Sequence, residues 1–358
     1  MQKKLIALAI AGLASTAAFA QSNVTIYGVA DASISGTTYL GSTSAQTAFK
    51  VNSGLLSTSR LGFKGVEDLG NGLKALFTLE YSLAIDGSNP IGSSSLPSAV
   101  ARQQFVGLTG GFGTAVAGHL QTTGLDFSVA ATALGGSTGL GAAYLAGGGT
   151  LISSASRASN AVAYISPTFG GVTVAYNHAR APLATEYAVS TANTDNTANL
   201  LSVSYANGPI SAGAIYTKYV QSQTNTTDDN IKEWGLRAGY DFGVVKLQAL
   251  YQQQKADATA TVGKDKKWAV SVTVPVGAKV GVIAEYAALK VGSTVAEDNV
   301  KVSTLAATYA LSKRTTAYAG LVAKRVENDT NRNTVVGVGA NPYVSDGNTY
   351  AVGLRHMF

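Results

Sequence analysis

Alternation with a period of two runs along nearly the whole chain, and it leaves few folds open. "NVTIYGVADASIS" (23–35) puts Val24, Ile26 and Ala30 on one side and Thr25, Tyr27, Asp31 and Ser33 on the other. "GLKALFTLEYSL" sets Leu73, Ala75, Phe77, Leu79 and Tyr81 against Lys74, Thr78, Glu80 and Ser82. "KEWGLRAGYDF" opposes Trp234, Leu236, Tyr240 and Phe242 to Glu233, Arg237 and Asp241, and "KKWAVSVTVPV" aligns Trp268, Val270, Val272 and Val274. Successive side chains of a strand point to opposite faces, so this is the pattern of strands with one apolar face.

The connections alternate as well. "DLGNG" (68–72), "TGGFG" (109–113) and "ANGP" (206–209) are tight, whereas "SQTNTTDDN" and "VENDTNRNTVVGVGANPYVSDGN" are long and polar. The strand segments number about sixteen, each close to the ~9–11 residues that cross a bilayer at a tilt. Short turns on one rim and long loops on the other are the layout of a transmembrane barrel. A soluble sandwich would also alternate, but its apolar faces would meet inside and its hairpins would be more even. Tyrosine and tryptophan recur near strand ends, as interfacial girdles require, and alanine and glycine are expected to dominate the lipid-facing side. No domain boundary interrupts the pattern.

Charge supports the same reading. Only 13% of residues are charged, against about a quarter in soluble domains, yet no long apolar run accounts for the deficit. Residues 1–20, "MQKKLIALAIAGLASTAAFA", carry two lysines, a short apolar stretch and an Ala-Phe-Ala ending. That is the form of a secretory signal peptide, leaving residues 21–358 as the exported part. Its loss reduces 26 basic against 20 acidic residues to 24 against 20, too mild a balance for nucleic-acid binding. With no cysteine there is no disulfide framework and no thiolate metal site.

Six stretches resemble the trimeric general-diffusion porins of Gram-negative bacteria, in particular the beta-proteobacterial branch. They are "VTIYGVADASI", "SRLGFKGVEDLGNGLKALFTLEY", "RQQFVGLTGGFGTAVAGH", "SNAVAYISPTFGGVTVAY", "YALSKRT" and the terminal "YAVGLRHMF", and they span the exported part in order. The resemblance implies an all-β, sixteen-stranded antiparallel barrel in the outer membrane, with short periplasmic turns, long external loops and a third loop folded into the pore. It also implies a homotrimer, contact with outer-membrane lipid and lipopolysaccharide, and a terminal recognition signal for barrel assembly machinery, here Phe358 with Tyr350 on the same strand face.

A pore acts through the charges that point inward. In "TSRLGFKGVE", Leu61 and Phe63 face lipid if Arg60 and Lys64 face the lumen, and in "ARQQFVGL" the same reasoning turns Phe105 outward and Arg102 and Gln104 inward. The reverse would cost about 2–4 kcal/mol per arginine near the bilayer midplane. By resemblance, Arg60, Arg102 and Arg157 match the arginines that porins gather at the constriction, with Lys64 one step nearer the periplasm. Either of the first two could instead be a wall charge neutralised by an inward carboxylate such as Glu80. The third loop, roughly 121–159, carries a single acid, Asp126, followed by thirty residues, "FSVAATALGGSTGLGAAYLAGGGTLISSAS", without charge. The seven glycines of that run make it a poor membrane helix, and a short helical turn is expected at "ATAL". A basic wall facing a loop so poor in acid predicts anion preference for a passive channel.

Other chemistries find little support. "GGGT" (147–150) lacks the Gly-Lys-Ser/Thr ending of a phosphate loop. His119, His178 and His356 have no metal-ligand spacing, so neither metal nor cofactor is expected. His119 is read as a wall residue in preference to a titrating charge at the pore mouth. Asp228-Asp229 could bridge lipopolysaccharide through a divalent cation, but solvated loop charges are the simpler account. A substrate-specific channel would need an aromatic or charged ladder along its path. A barrel enzyme would need Ser, His and Asp brought together at a rim. Neither is visible, and no enzymatic activity is expected.

Overall fold

The computed structural model describes residues 23–39, 47–87, 101–147, 157–180, 196–221, 229–256, 264–292, 298–327 and 347–358. They form one closed antiparallel sheet. Its strands are β1 (Asn23–Tyr39), β2 (Thr47–Ser53), β3 (Arg60–Gly70), β4 (Leu73–Ser82), β5 (Ala101–Gly110), β6 (Gly113–Gln121), β7 (Arg157–Ile165) and β8 (Val172–Arg180). Then follow β9 (Thr197–Asn207), β10 (Ile210–Gln221), β11 (Asp229–Asp241), β12 (Lys246–Ala256), β13 (Lys264–Val276), β14 (Val280–Val291), β15 (Asp298–Ala310), β16 (Thr315–Glu327) and β17 (Gly347–Met357). Two short helices, α1 (Thr123–Val129) and α2 (Ala142–Ala146), lie between β6 and β7. The residues proposed as a leader, 1–20, and Asp228 fall outside the described residues.

Each strand pairs with its sequence neighbours, and β17 returns to pair with β1 from Val29↔Met357 to Tyr39↔Gly347. The segments β2 and β3 lie end to end opposite successive parts of β1, so they are one interrupted wall strand and the barrel has sixteen staves. Closure abolishes free sheet edges. It also explains why the chain can stop on a strand: the Phe358 N–H donates to the Gly28 carbonyl at 3.2 Å and the Gly28 N–H to the Phe358 carbonyl at 3.1 Å. The Phe358 ring lies across Gly28, where a Cβ would come within 2.4 Å of it. At the turn rim, "GNG" closes β3 onto β4 with Gly70, Asn71 and Gly72 all at positive φ (87°, 52° and 78°), a conformation that glycine and asparagine adopt most readily.

The outer face is apolar and open. Val24, Phe49 and Leu236 are 58%, 67% and 52% exposed, as hydrocarbon contact demands and a soluble sandwich would forbid. The buried core lies elsewhere, between the β6–β7 loop and the inner wall of β10–β17. Many of the alanines sit there, contrary to the expectation that small residues would dominate the lipid side. Ala269, Ala287, Ala306 and Ala351 are nearly inaccessible beneath that loop, where only a short side chain leaves room for a second layer of backbone. The "ATAL" segment is a turn, Gly135 N–H to Thr132 carbonyl at 3.2 Å, and the helical pieces flank it.

Two irregularities shape the lumen. Ser53 faces Ala32 and Arg60 faces Val29, so residues 54–59 leave the wall and bulge inward. Asp31, fully buried, pins this bulge: its Oδ2 accepts the Leu56 and Ser57 N–H groups at 3.1 and 2.6 Å, and its Oδ1 the Tyr318 hydroxyl at 2.6 Å. The second irregularity is a register shift where Glu80 pairs with Gln103 but Tyr81 with Ala101. That extra residue corrects the expected orientation of β5 beyond Arg102. Phe105 stands across from Thr78, itself across from Lys64, on the lumen side. Gln104 points outward, its amide bonded to the Tyr81 hydroxyl at 3.0 Å.

Candidate functional site: a basic waist

The loop between β6 and β7 forms one side of the waist because its backbone polar groups find partners on the inner wall. Thr122 caps α1 through its side chain. The Thr123 N–H donates to Asn177 Oδ1 of β8 at 2.7 Å, and its hydroxyl meets that of Ser202 of β9. Phe127 packs on Gly235 of β11, with the Arg237 guanidinium 5.7 Å from its ring centroid. Farther along, Glu285 of β14 accepts the Leu134 N–H at 2.7 Å and the Ala142 N–H at 3.0 Å, and Ser271 accepts from Ala133 at 3.1 Å. The inward bulge holds the tip: Ser137 Oγ and the Gly139 N–H both donate to the Leu55 carbonyl, at 2.6 and 3.1 Å. Irregular backbone at membrane depth needs this accounting, since bilayer core offers it no water.

The basic side is built on β3, β5 and β7. Arg102, nearly buried, places Nε 2.6 Å from Glu80 Oε1, while Arg60 Nη1 lies 3.9 Å from the same oxygen. The Tyr27 hydroxyl donates to Glu80 Oε2 at 3.0 Å. Arg157 opens β7 within electrostatic reach of Arg102, Glu80, Arg60 and of Tyr144 on α2. Arginine suits such a cluster because its guanidinium stays protonated at any ordinary pH. Lys64 stands toward the turn rim, 5.2 Å over the Tyr27 ring. The neutralising partner considered for Arg60 and Arg102 is therefore real, but one carboxylate serves both.

The sequence reading missed one guanidinium. Arg355 of β17 lies opposite Asp31 and Thr316, donates to Ser57 Oγ at 3.1 Å, and is within electrostatic reach of Arg60. Parity in "TYAVGLRHMF" could have found it: Tyr350, Val352 and Leu354 point outward, so Arg355 points in. On the loop side Asp126 is exposed to the lumen and held by Gln121 Nε2 at 2.5 Å. The protein around it raises its carboxyl above the usual aspartate range, against the effect of that hydrogen bond. His119 pairs opposite Gln104, off the lumen, and bonds Ser159 Oγ at 3.0 Å. Among the described residues no His, Cys, Asp or Glu cluster could hold a metal ion.

The arrangement gives the waist a fixed positive side: four guanidiniums with Glu80 and the already engaged Asp31 as their nearby acids. Exchanging Glu80 for glutamine keeps an acceptor for Arg102 and removes one negative charge. The expected result is a reversal potential displaced further toward the anion side, read in planar bilayers under a salt gradient; displacement toward cations would contradict this account of the charge balance.

Comparisons with known proteins agree with this architecture. A family model described as Gram-negative porin matches residues 7–331. Outer membrane porin protein 32 of Delftia acidovorans is 33% identical over 339 residues, covering 90% of this chain and 89% of the relative. A major outer membrane protein P.IB of Neisseria meningitidis serogroup B is 29% identical over 260 residues, 72% of this chain and 71% of its own length. Among solved structures, the anion-selective porin from Comamonas acidovorans superposes with a TM-score of 0.75 at 27% identity, covering 94% of this chain and all of that one.

Proposed function

Because this chain belongs to the Gram-negative porin family, and so forms a passive water-filled channel in the outer membrane, we propose that its waist prefers anions. The observation that carries this is the arginine cluster at Glu80 facing a loop whose sequence holds only Asp126 as an acid. Those charges sit within about one Debye length (~8 Å at physiological salt) of any ion in a narrow passage, so they act on every ion that crosses. Arg60, Arg102, Arg157 and Lys64 form the attracting wall and Asp126 the weak opposing side. Small hydrophilic solutes and anionic nutrients pass by diffusion. The anion-selective porin from Comamonas acidovorans, with the same barrel, supports the reading. Reversal potential under a potassium chloride gradient tests it, and a strongly cation-selective value would reject it.

The finer parts of the proposal concern export and assembly. Residues 1–20 serve as the export leader, and the working unit is a homotrimer in contact with outer-membrane lipid and lipopolysaccharide. Phe358 and Tyr350 present the terminal strand to barrel assembly machinery. Both rings lie on the outer face, over Gly28 and Gly36, where an assembly factor can reach them before the barrel closes. Removing Phe358 is expected to lower the amount of folded, heat-modifiable barrel in cells severalfold while refolding in detergent persists. Equal loss in both settings would assign the residue to closure alone.

A further inference from the structure

The outer wall has a hollow that the pore does not use. On three adjoining strands the side chains that stand opposite one another are small: Ala212 of β10 faces Ala238 of β11, and Ala238 faces Ala249 of β12. Ala214, the next outward position of β10 toward the long-loop rim, continues this floor. All four point away from the lumen, because Ile215 and Leu250, at the alternate positions of β10 and β12, are buried on the inner wall. Bulkier residues stand round the floor. Tyr205 of β9 faces Ala212, and Leu236 of β11 stands between Ala214 and Tyr251 of β12. The result is an open dish of about 610 Å³, lined almost wholly by apolar atoms.

Height and setting identify what fills it. Toward the short turns the dish ends at Ile210, Tyr240 and Leu247, which face one another across the same three strands. Tyr240 packs there on Phe242, with 4.4 Å between ring centroids, an aromatic lip of the kind found at a membrane boundary. Toward the long loops it ends at Trp234, whose ring meets that of Tyr251 at 5.3 Å. The dish therefore opens into the leaflet on the short-turn side, the periplasmic one in a barrel of this layout. Lipid chains or another membrane protein are what can reach it. A second copy of this chain has a different sector to pack on: Ile34, Phe49, Val51 and Val352 of β1, β2 and β17 are exposed and apolar, and β10 lies half-way round the ring from β1. That leaves the dish to lipid.

A hollow in a lipid-facing wall differs from a flush wall in one physical respect. Hydrocarbon tails are as apolar as leucine, so no hydrophobic drive brings them to the protein, and van der Waals contact decides which tail stays. A tail on a flush wall touches it along one side. A tail lying over the alanines touches the floor and both walls, and an unfilled hollow would lose those contacts outright. The volume falls in the range of about 300–1,000 Å³ that small-molecule sites occupy, and the lining offers a headgroup almost no polar surface. We propose that the dish retains one acyl chain of a periplasmic-leaflet phospholipid, chosen by its chain and indifferent to its headgroup. The inference uses the outer-membrane placement of the family and is independent of ion preference.

The full protein, purified in neutral detergent, is titrated with dipalmitoyl phosphatidylethanolamine, with dipalmitoyl phosphatidylglycerol and with a dihexanoyl analogue of the first. Lipid retained per chain is read by native mass spectrometry. Retention is expected to saturate at a single lipid, alike for the two headgroups and absent for the short chains. Ala238→Trp fills the dish from its floor while projecting toward lipid, so the barrel is expected to fold and the apparent affinity to drop on the order of tenfold. Leu305→Trp, a change of the same kind elsewhere on the exposed outer face, leaves it unaltered. A phospholipid brominated in mid-chain supplies the position: anomalous scattering from bromine in crystals is expected over Ala212 and Ala238. Preference for one headgroup, equal retention of the short chains, an unaltered Ala238→Trp variant, or bromine placed elsewhere would each overturn the proposal. Loss of the oligomer in Ala238→Trp would overturn it too, giving the dish to a second copy. Should that variant fail to fold, the chain-length and bromine arms decide alone. Channel recordings on the same preparations keep a failure of the anion reading separate, because the variant is expected to conduct with unchanged selectivity.

Discussion

Replacing Arg60, Arg102 and Arg157 together by glutamine is expected to carry the channel from anion toward cation preference while the barrel still assembles. A unit charge about 5 Å from a passing ion is worth about 0.8 kcal/mol even at the dielectric constant of water, roughly a fourfold change in local concentration for each sign of ion. Removing three such charges leaves Arg355 against Glu80 and Asp31, so the balance at the waist turns from positive to negative. After screening, the anion-to-cation permeability ratio should still fall by about tenfold or more. The wall is held by the closed backbone ladder and not by these side chains, so their loss is not expected to unfold it, and heat-modifiability on gels checks that. A reversal potential unchanged in the triple variant sinks the assignment of these residues to the waist.

How far the sequence reveals this molecule depends on which constraint acts on a residue. Lipid imposes a strict one, so the outward positions of Trp234, Leu236, Val270 and Val272 could be read directly, and with them the inward side, whereas the sixteen-stranded closed barrel was implied by the family resemblance and matches the structure. The reading fails where the ladder slips. The register shift beside Arg102 turns Phe105 into the lumen, and nothing in "ARQQFVGL" announces the extra residue. The bulge at 54–59 is hidden for a related reason: "GLLSTS" is compatible with a continuing strand, and partners distant in sequence hold it inward, among them Asp31, Ser137 and Arg355. The loop's glycines spoke against a membrane helix, and its place inside the pore was what the family resemblance implied. Its anchors could not be read, because Glu285 lies 151 residues from Leu134 and local patterning holds no trace of such a partner.

That distant anchor also makes the second large prediction. Glu285, nearly inaccessible, accepts two loop N–H groups, from Leu134 and Ala142, on either side of the loop's tip. Hydrogen bonds to a charged acceptor are worth about 1.5–3 kcal/mol each, so Glu285→Ala removes about 3–6 kcal/mol of local attachment and strands two buried donors. Loops open with free energies from near zero up to that of the whole fold, and a loss of this size is enough to release the segment while the ladder of wall strands holds. The expected result is a larger, noisier single-channel conductance and faster entry of larger sugars into liposomes, with reduced selectivity because the loop no longer presses ions against the arginines. Glu285→Gln, which keeps one acceptor oxygen, should fall between the two. Glu327→Ala, at the exposed end of β16, should leave conductance unaltered. If Glu285→Ala conducts as quietly and as narrowly as the parent protein, then the remaining contacts through Asn177, Ser271 and Leu55 suffice to hold the loop, and the carboxylate is not its principal anchor.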